Sequence, residues 1–142
     1  MAKTAEETAW NDGIIADFRA HAGRITQGRL AGASMLLMTS IGARSGLPRI
    51  APVGYHRDGA GYVVVGSNSG RDEQPAWLEN VRRNPVVTVE VGTEKFPARA
   101  RITEGAERRR LLDARIAAVP QFGVYEKNTK RELPVIVLTR IE

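Results

Sequence analysis

The stretch Thr39-Ser40-Ile41-Gly42-Ala43-Arg44-Ser45-Gly46-Leu47-Pro48-Arg49 joins an apolar run, Met35-Leu36-Leu37-Met38, to a second strand-like run, Arg49-Ile50-Ala51-Pro52-Val53. Two apolar runs separated by a glycine-bearing bend read as strands joined by a turn. The bend itself carries two glycines, a hydroxyl and two guanidinium groups, an inventory suited to an anion. Glycine lets backbone N–H groups approach a ligand, Ser45 offers a hydrogen bond, and Arg44 and Arg49 bring charge. On composition alone, a strand-connecting turn with solvated arginines explains the stretch equally well.

The totals narrow the field. At 142 residues, the chain fits one domain and can bury a sizeable core. Hydrophobic content of 42% and charged content of 26% are ordinary for a globular protein. No apolar run approaches the roughly 20 residues of a membrane-spanning helix. The start, Met1-Ala2-Lys3-Thr4-Ala5-Glu6-Glu7, lacks the apolar core of a signal peptide. There is no cysteine, which removes disulfides, thiolate metal sites and thiol nucleophiles and favours the cytoplasm. Lys plus Arg is 21 against 16 for Asp plus Glu, a net charge of +5. That balance suits an anionic partner: a phosphorylated cofactor, an acidic membrane surface or nucleic acid. Aromatic residues are only 6%, and none interleaves with the densest basic run, Arg108-Arg109-Arg110. A nucleic-acid face built on stacking is therefore disfavoured.

Thr4-Ala5-Glu6-Glu7 has the capping-box spacing. Trp10, Ile14, Phe18 and Ala22 then recur every four residues, with Ile15 beside them, predicting a helix with one apolar face that ends near Gly23. Residues 1–33 thus read as a helix and loop packed on a β domain of residues 34–142, within a single-domain chain. The apolar helix face is also the one surface that could touch a membrane, although Asp12 and Asp17 argue against a strong contact. His21 reads as a solvated or capping histidine.

Ser34–Ile41 and Arg49–Arg57 are predicted strands, the second closed by the Asp58-Gly59 turn. Gly61–Gly66 is apolar on both faces and reads as a central strand. It opens into Ser67-Asn68-Ser69-Gly70, a polar loop of the kind that borders sites. Pro75-Ala76-Trp77-Leu78 starts a short helix whose apolar side is Trp77, Leu78 and Val81. Val86–Val91 is a strand. Glu94–Ile102 alternates strictly, and its Pro97 points to a sheet edge. Glu104–Val119 is a helix with Leu111, Leu112, Arg115 and Ile116 inside and Arg108 to Arg110 on the solvated face. Phe122 and Tyr125 fall in a connecting segment, and Pro134–Leu138 closes the chain as a strand. Roughly six strands with inserted helices give a mainly β, α+β fold: an antiparallel sheet or barrel rather than a doubly wound one.

Familiar catalytic patterns are missing. There is no dinucleotide or phosphate-loop fingerprint and no His-Glu-x-x-His. Gly66-Ser67-Asn68-Ser69-Gly70 misses the nucleophile elbow, because Asn68 holds the central position. His21 and His56 are the only histidines. Hydrolysis and metal catalysis are disfavoured, so an organic cofactor would have to carry any reactivity.

In order along the chain stand Thr39 to Gly46, Pro52, the Asp58-Gly59 turn, Val65-Gly66-Ser67-Asn68, Pro75-Ala76-Trp77-Leu78-Glu79-Asn80, Asn84-Pro85 and Leu133-Pro134-Val135-Ile136-Val137-Leu138. This series resembles the deazaflavin-dependent nitroreductase family from about Trp10 onward. The resemblance implies a split β-barrel, similar to flavin-reductase and FMN-binding split barrels, that uses the reduced deazaflavin coenzyme F420 as hydride donor. It implies reduction of quinones, nitroaromatics, or enone lactones such as coumarins and furanocoumarins. Gly42, Arg44, Ser45, Gly46 and Arg49 would hold the cofactor phosphate, and Pro52, Ser67, Asn68, Ser69, Trp77 and Asn80 would line its ring system. Phe122, Tyr125 and Gly54 would face the substrate, with Tyr125 and Ser67 as catalytic donors and no metal. The family usually has lysine where Arg44 stands, which keeps the charge, and arginine where Ala43 stands, which removes one candidate tail contact. Phe122 replaces a family tyrosine and cannot donate a proton. Gly54, where a relative carries a bulky aromatic, implies a roomier pocket. The alternatives are an FMN-binding oxidoreductase of the same barrel class and a non-catalytic F420 carrier; in any of these readings the chain would be a monomer or homodimer.

Overall fold

The computed structural model describes residues 5–141; Thr4, the hydroxyl of the expected capping box, lies outside them. Seven strands form one antiparallel sheet: β1 (Met35–Ile41), β2 (Pro48–Gly54), β3 (His56–Asp58), β4 (Gly61–Val65), β5 (Val86–Val91), β6 (Glu94–Ile102) and β7 (Val135–Arg140). Their spatial order is β2-β1-β5-β6-β7-β4-β3. β2 and β3 are therefore the two edges, yet only Tyr55 separates Gly54 from His56. Connectivity alone forces the sheet to curl until its edges approach each other, which makes it a split barrel. The Tyr55 ring meets Tyr62 edge-on beside this junction, centroids 5.6 Å apart.

This junction also corrects the strand count. The single strand expected over Arg49–Arg57 is two strands, β2 paired with β1 and β3 paired with β4. Alternation of side chains continues through Tyr55 while the hydrogen-bonding partner changes, so sequence pattern alone cannot reveal the switch.

The curl divides each strand between two environments. Leu36, Met38, Tyr62, Val64, Val87, Val89, Phe96, Ala98, Ala100, Ile136 and Leu138 fill the interior, and Leu78 and Val81 of α2 (Ala76–Arg83) plug one end. Met35 and Leu37 turn outward against Ile14 and Phe18 of α1 (Ala5–Ala20) and against Ile25. Val63, Val65, Val135 and Val137 turn outward against Leu111 and Leu112 of α3 (Gly105–Ala118), with Phe122 and Tyr125 of α4 (Gln121–Asn128) beside them. Helices cover both outer patches, so β1, β4 and β7 are apolar on both faces and read as continuous runs rather than alternating ones.

Four further expectations change. β6 is internal, lying between β5 and β7. Its Pro97 is tolerated because the ladder alternates: Ala100 N–H donates to the Pro85 carbonyl at 2.7 Å, so the Pro97 nitrogen faces away from β5. On its other side β7 has run out, and the Pro97 carbonyl accepts the Ile141 N–H at 2.9 Å. β4, expected at the centre, lies one strand from the edge; α3 rather than further strands covers its outer face. Phe122 and Tyr125 sit on a helix, not in a connector. Arg108 is buried, its Nε donating to the Leu133 carbonyl at 2.8 Å and lying 3.0 Å from Glu132. Arg108, Leu111, Leu112 and Arg115 share the i, i+3, i+4, i+7 face of α3, which is why Arg108 goes inside.

The apolar face of α1 is already occupied. Ile14 and Phe18 are buried on the sheet, and Trp10, 46% exposed, is covered only by the Arg29 guanidinium 5.6 Å from its ring. His21 caps the end of α1, with Nδ1 2.9 Å from the Asp17 carbonyl. Among the described residues no helix is long and apolar enough to cross a membrane.

Phe18→Ala should lower unfolding free energy by about 3–5 kcal/mol, read from urea titration, because α1 is held mainly by this ring and Ile14. Stability should also fall with acid in two stages. Burial holds the His56 pKa below its ordinary value, so the unfolded chain takes that proton first as pH drops through about 6.5. Hydrogen bonds from Thr26, Arg110, Arg101 and Arg109 lower the pKa values of Asp17, Asp58, Glu107 and Glu126 respectively. The unfolded state again binds more protons, so their contribution is present above about pH 4 and disappears as pH falls through the folded values. A melting temperature unchanged between pH 7 and pH 3 would contradict both assignments.

Candidate active site

The bend between β1 and β2 is a closed hydrogen-bonded turn. Gly42 N–H donates to the Leu47 carbonyl at 2.8 Å, and Gly46 N–H donates to the Gly42 carbonyl at 2.9 Å. Ser45 Oγ accepts the Leu47 N–H at 3.1 Å, which leaves its hydroxyl proton to be donated outward. A Cβ at Gly42 would lie 2.5 Å from Ser45 Oγ and 3.2 Å from the Leu47 carbonyl oxygen, so a side chain there would push the Ser45 hydroxyl from its place.

Among the described residues, the N–H groups of Arg44 and Ser45 find no acceptor. Nor does either arginine of the bend meet a carboxylate; Arg49 Nη1 reaches only the Pro48 carbonyl, at 3.4 Å. This contrasts with Arg19, Arg101, Arg109, Arg110 and Arg140, which pair with Glu90, Glu107, Asp113, Asp58 and Glu94. The bend therefore concentrates free donors and unneutralised charge at one exposed place, the requirement for gripping a phosphate.

Asn80 fixes this bend to α2. It is buried; its Oδ1 accepts the Ala43 N–H at 2.9 Å, and its Nδ2 donates to Ser40 Oγ at 3.2 Å. Trp77, one turn earlier, is half-buried and packs against the barrel interior.

A second group forms around Ser67-Asn68-Ser69-Gly70. Asn68 and Ser69 hold left-handed backbone conformations, with φ of 47° and 57°, at a cost of about 1 kcal/mol or more each. Arg131 keeps them there. Its guanidinium donates to the carbonyls of Gly66 (3.1 Å), Ser67 (2.9 Å) and Arg71 (3.1 Å) and to Gln74 Oε1 (2.9 Å). Burial pulls the Arg131 pKa down, yet it stays a cation at any physiological pH.

Tyr125 stands over this loop: a Cβ at Gly70 would come within 3.0 Å of its ring. The Tyr125 and Phe122 rings meet edge-to-face at 5.5 Å, and Phe122 in turn lies under the Arg115 guanidinium, 4.7 Å from its centroid. Arg115 Nη2 then presses on Gly54, within contact distance of where a Cβ would be. Gly54, Phe122, Tyr125 and the 67–70 loop thus form one continuous wall, and Pro52 shares the outward face of β2 with Gly54. The pocket expected to be roomier at Gly54 is instead filled by Arg115.

Arg115 and Arg131 were not among the sequence candidates for the site. Arg131 sits in the charged run Lys130-Arg131-Glu132, and nothing in that run distinguishes it from a solvated arginine. Arg115 had a signal, an arginine on the apolar face of a helix, but its stem alone accounts for that position.

A cavity of about 640 Å³ opens at the other end of β1, lined by Gly23, Thr26, Ser34, Met35, Tyr55 and Gly92 among others. It contains none of the candidate site residues. Among the described residues no cluster of side chains could hold a metal ion.

The fold defines a class: a split β-barrel of α+β type. Residues 14–140 match the F420H(2)-dependent quinone reductase family, and the chain belongs to it. It is 33% identical over 129 residues to the F420H(2)-dependent quinone reductase Rv1261c of Mycobacterium tuberculosis, covering 87% of this chain and 85% of that one. A second M. tuberculosis relative, the putative F420H(2)-dependent quinone reductase Rv3178, is 33% identical over 72% of this chain and 87% of its own length. The solved F420-H2 dependent reductase FDR-A superposes with a TM-score of 0.68 at 33% identity, over 74% of this chain and 93% of that one. A domain-swapped dimer superposes with a TM-score of 0.70 at 28% identity, over 94% and 97% of the two chains. The chain is accordingly an oxidoreductase with coenzyme F420 as cofactor, which takes precedence over the FMN and carrier alternatives.

Asn80→Ala leaves the Ala43 N–H and the Ser40 hydroxyl without their partner, so it should cost about 1–3 kcal/mol of stability. It should also speed tryptic cleavage after Arg44 and Arg49, followed by mass spectrometry. Cleavage at the wild-type rate would show that Asn80 does not fix the bend.

Proposed function

We propose that this chain passes hydride from reduced F420 to an electron-poor planar substrate, quinones first, with nitroaromatics and coumarin or furanocoumarin enone lactones as further candidates. The observation that carries the reading is the β1–β2 bend, where N–H donors without acceptors coincide with two guanidinium groups lacking carboxylates. Family membership and the quinone reductases at 33% identity support the substrate class.

In this reading Gly42, Arg44, Ser45, Gly46 and Arg49 hold the cofactor phosphate through backbone N–H groups, the Ser45 hydroxyl and charge. Asn80 acts on the cofactor through the bend it fixes. Pro52, Ser67, Asn68, Ser69 and Trp77 bound the ring. When bound, the deazaflavin supplies hydride from a ring carbon. The protein holds substrate against it at a near-attack separation of about 3–3.5 Å. In this reading the hydroxyl groups of Ser67 and Tyr125 supply donors to a substrate oxygen that gains negative charge. Tyr125 is the candidate proton source; Phe122, without a hydroxyl, supplies only shape. Arg131 keeps the strained 67–70 backbone in place.

Arg44→Ala should weaken F420 binding by about tenfold or more, equivalent to about 1.4 kcal/mol, as read by fluorescence titration. Turnover at saturating cofactor should stay within about threefold, the signature of lost ground-state binding, and Arg44→Lys should retain most of the affinity. Affinity unchanged in Arg44→Ala would overturn the phosphate assignment.

A further inference from the structure

Among the described residues, three side-chain polar atoms are buried without a hydrogen-bond partner: both ring nitrogens of His56 and Nε of Arg115. They belong to one place. Arg115 is 6% exposed, lies close enough to His56 to depress its protonation, and rests over the Phe122 ring. Gly54 and His56 flank Tyr55, where the chain crosses from one sheet edge to the other, and so share one face of the junction. Among the described residues no carboxylate pairs with Arg115. Its electrical compensation comes from the face of Phe122, which is weak for a full charge.

A desolvated guanidinium with an unused N–H is costly for a fold to keep. It is also made possible here by a specific residue: Arg115 Nη2 takes the space that any side chain at position 54 would fill. The wall from Gly54 through Phe122 to Tyr125 is the one read above as facing the substrate.

We infer that Arg115, with His56 beside it, is the seat for the substrate oxygen that becomes negative during reduction. This rests on the reading that the chain reduces carbonyl-bearing planar substrates. The substrate takes hydride at a ring carbon, its conjugated π pair moves onto the carbonyl oxygen, and Tyr125, reprotonated by water, then protonates that oxygen. The reduced coenzyme supplies the hydride and is left oxidised by two electrons. Arg115 donates N–H groups to the oxygen as its charge grows, a contact stronger in the transition state than in the ground state. His56, kept neutral by burial and by Arg115, can donate from one ring nitrogen without adding a second charge. The seat favours substrates whose carbonyl lies in the ring plane at the edge away from the coenzyme phosphate.

The test compares wild type, Arg115→Met, Arg115→Ala and Gly54→Ala by two readouts. The first is turnover of a naphthoquinone with F420 saturating. The second, without coenzyme, is binding of lawsone, a hydroxynaphthoquinone ionised at neutral pH. Arg115→Met keeps the bulk over Phe122 and should lower kcat on the order of 100-fold, with F420 affinity unchanged. Lawsone should bind about tenfold more weakly. Added guanidinium should restore part of the Arg115→Ala turnover. Gly54→Ala, which pushes the guanidinium aside without removing it, should lose turnover in the same direction even if Arg115→Met folds poorly. Turnover and lawsone affinity within about threefold of wild type in Arg115→Met would overturn the seat, as would a parallel loss of F420 affinity, which marks a structural role. A wild-type chain that reduces no quinone yet binds lawsone through Arg115 would refute the proposed function while leaving the seat standing.

Discussion

A single residue, Tyr55, separates two strands that lie at opposite edges of a seven-stranded sheet. That covalent constraint leaves the sheet no choice but to curl, and the rest of the architecture follows. Curling gives each strand an inner and an outer face. The inner face makes one apolar core, and α1 and α3 cover the outer patches. The same constraint makes β2 the axis of the candidate site. Its first residues, Pro48 and Arg49, belong to the bend proposed to grip an anion; its last, Gly54, reaches the seam with His56 and Arg115. Six strand steps between them span about 20 Å, so β2 runs from the bend toward the wall formed by Phe122 and Tyr125.

Three arginine populations stand out. Those on the outer faces of α3 and β6 pair with carboxylates at 2.6 to 3.1 Å and contribute little individually. Arg44 and Arg49 are left unpaired on the surface, and Arg115 is left unpaired in the interior. Arg131 is a third kind, spent wholly on carbonyls and one amide, which stabilises a backbone loop that glycine-free positions would not adopt on their own.

Much of the fold was legible because it depends on periodicity. The strict alternation of Glu94–Ile102 and the continuous apolar runs of β1, β4 and β7 follow directly from which faces are buried. The turn between β1 and β2 was legible because glycine and serine turn chemistry is local. The edge switch at Tyr55 was not, since hydrogen-bond partners leave no mark on side-chain alternation. Pro97 misled for a related reason: its missing donor matters only on the side it faces, and there β7 has ended. Arg108 could have been placed from its helical spacing with Leu111, Leu112 and Arg115. Arg115 and Arg131 act through contacts with residues about 60 positions away, Gly54 and Gly66 among them, and no local pattern carries that information.

The central claim is that the bend between β1 and β2 grips the phosphate of the coenzyme. A crystal structure of the chain with oxidised F420 bound measures this most directly. The account predicts phosphate oxygens at about 2.7–3.2 Å from the N–H groups of Arg44 and Ser45, with the Arg44 or Arg49 guanidinium closing over them and the ring extending along β2 toward Gly54. A phosphate resting elsewhere, with the bend empty, would contradict it.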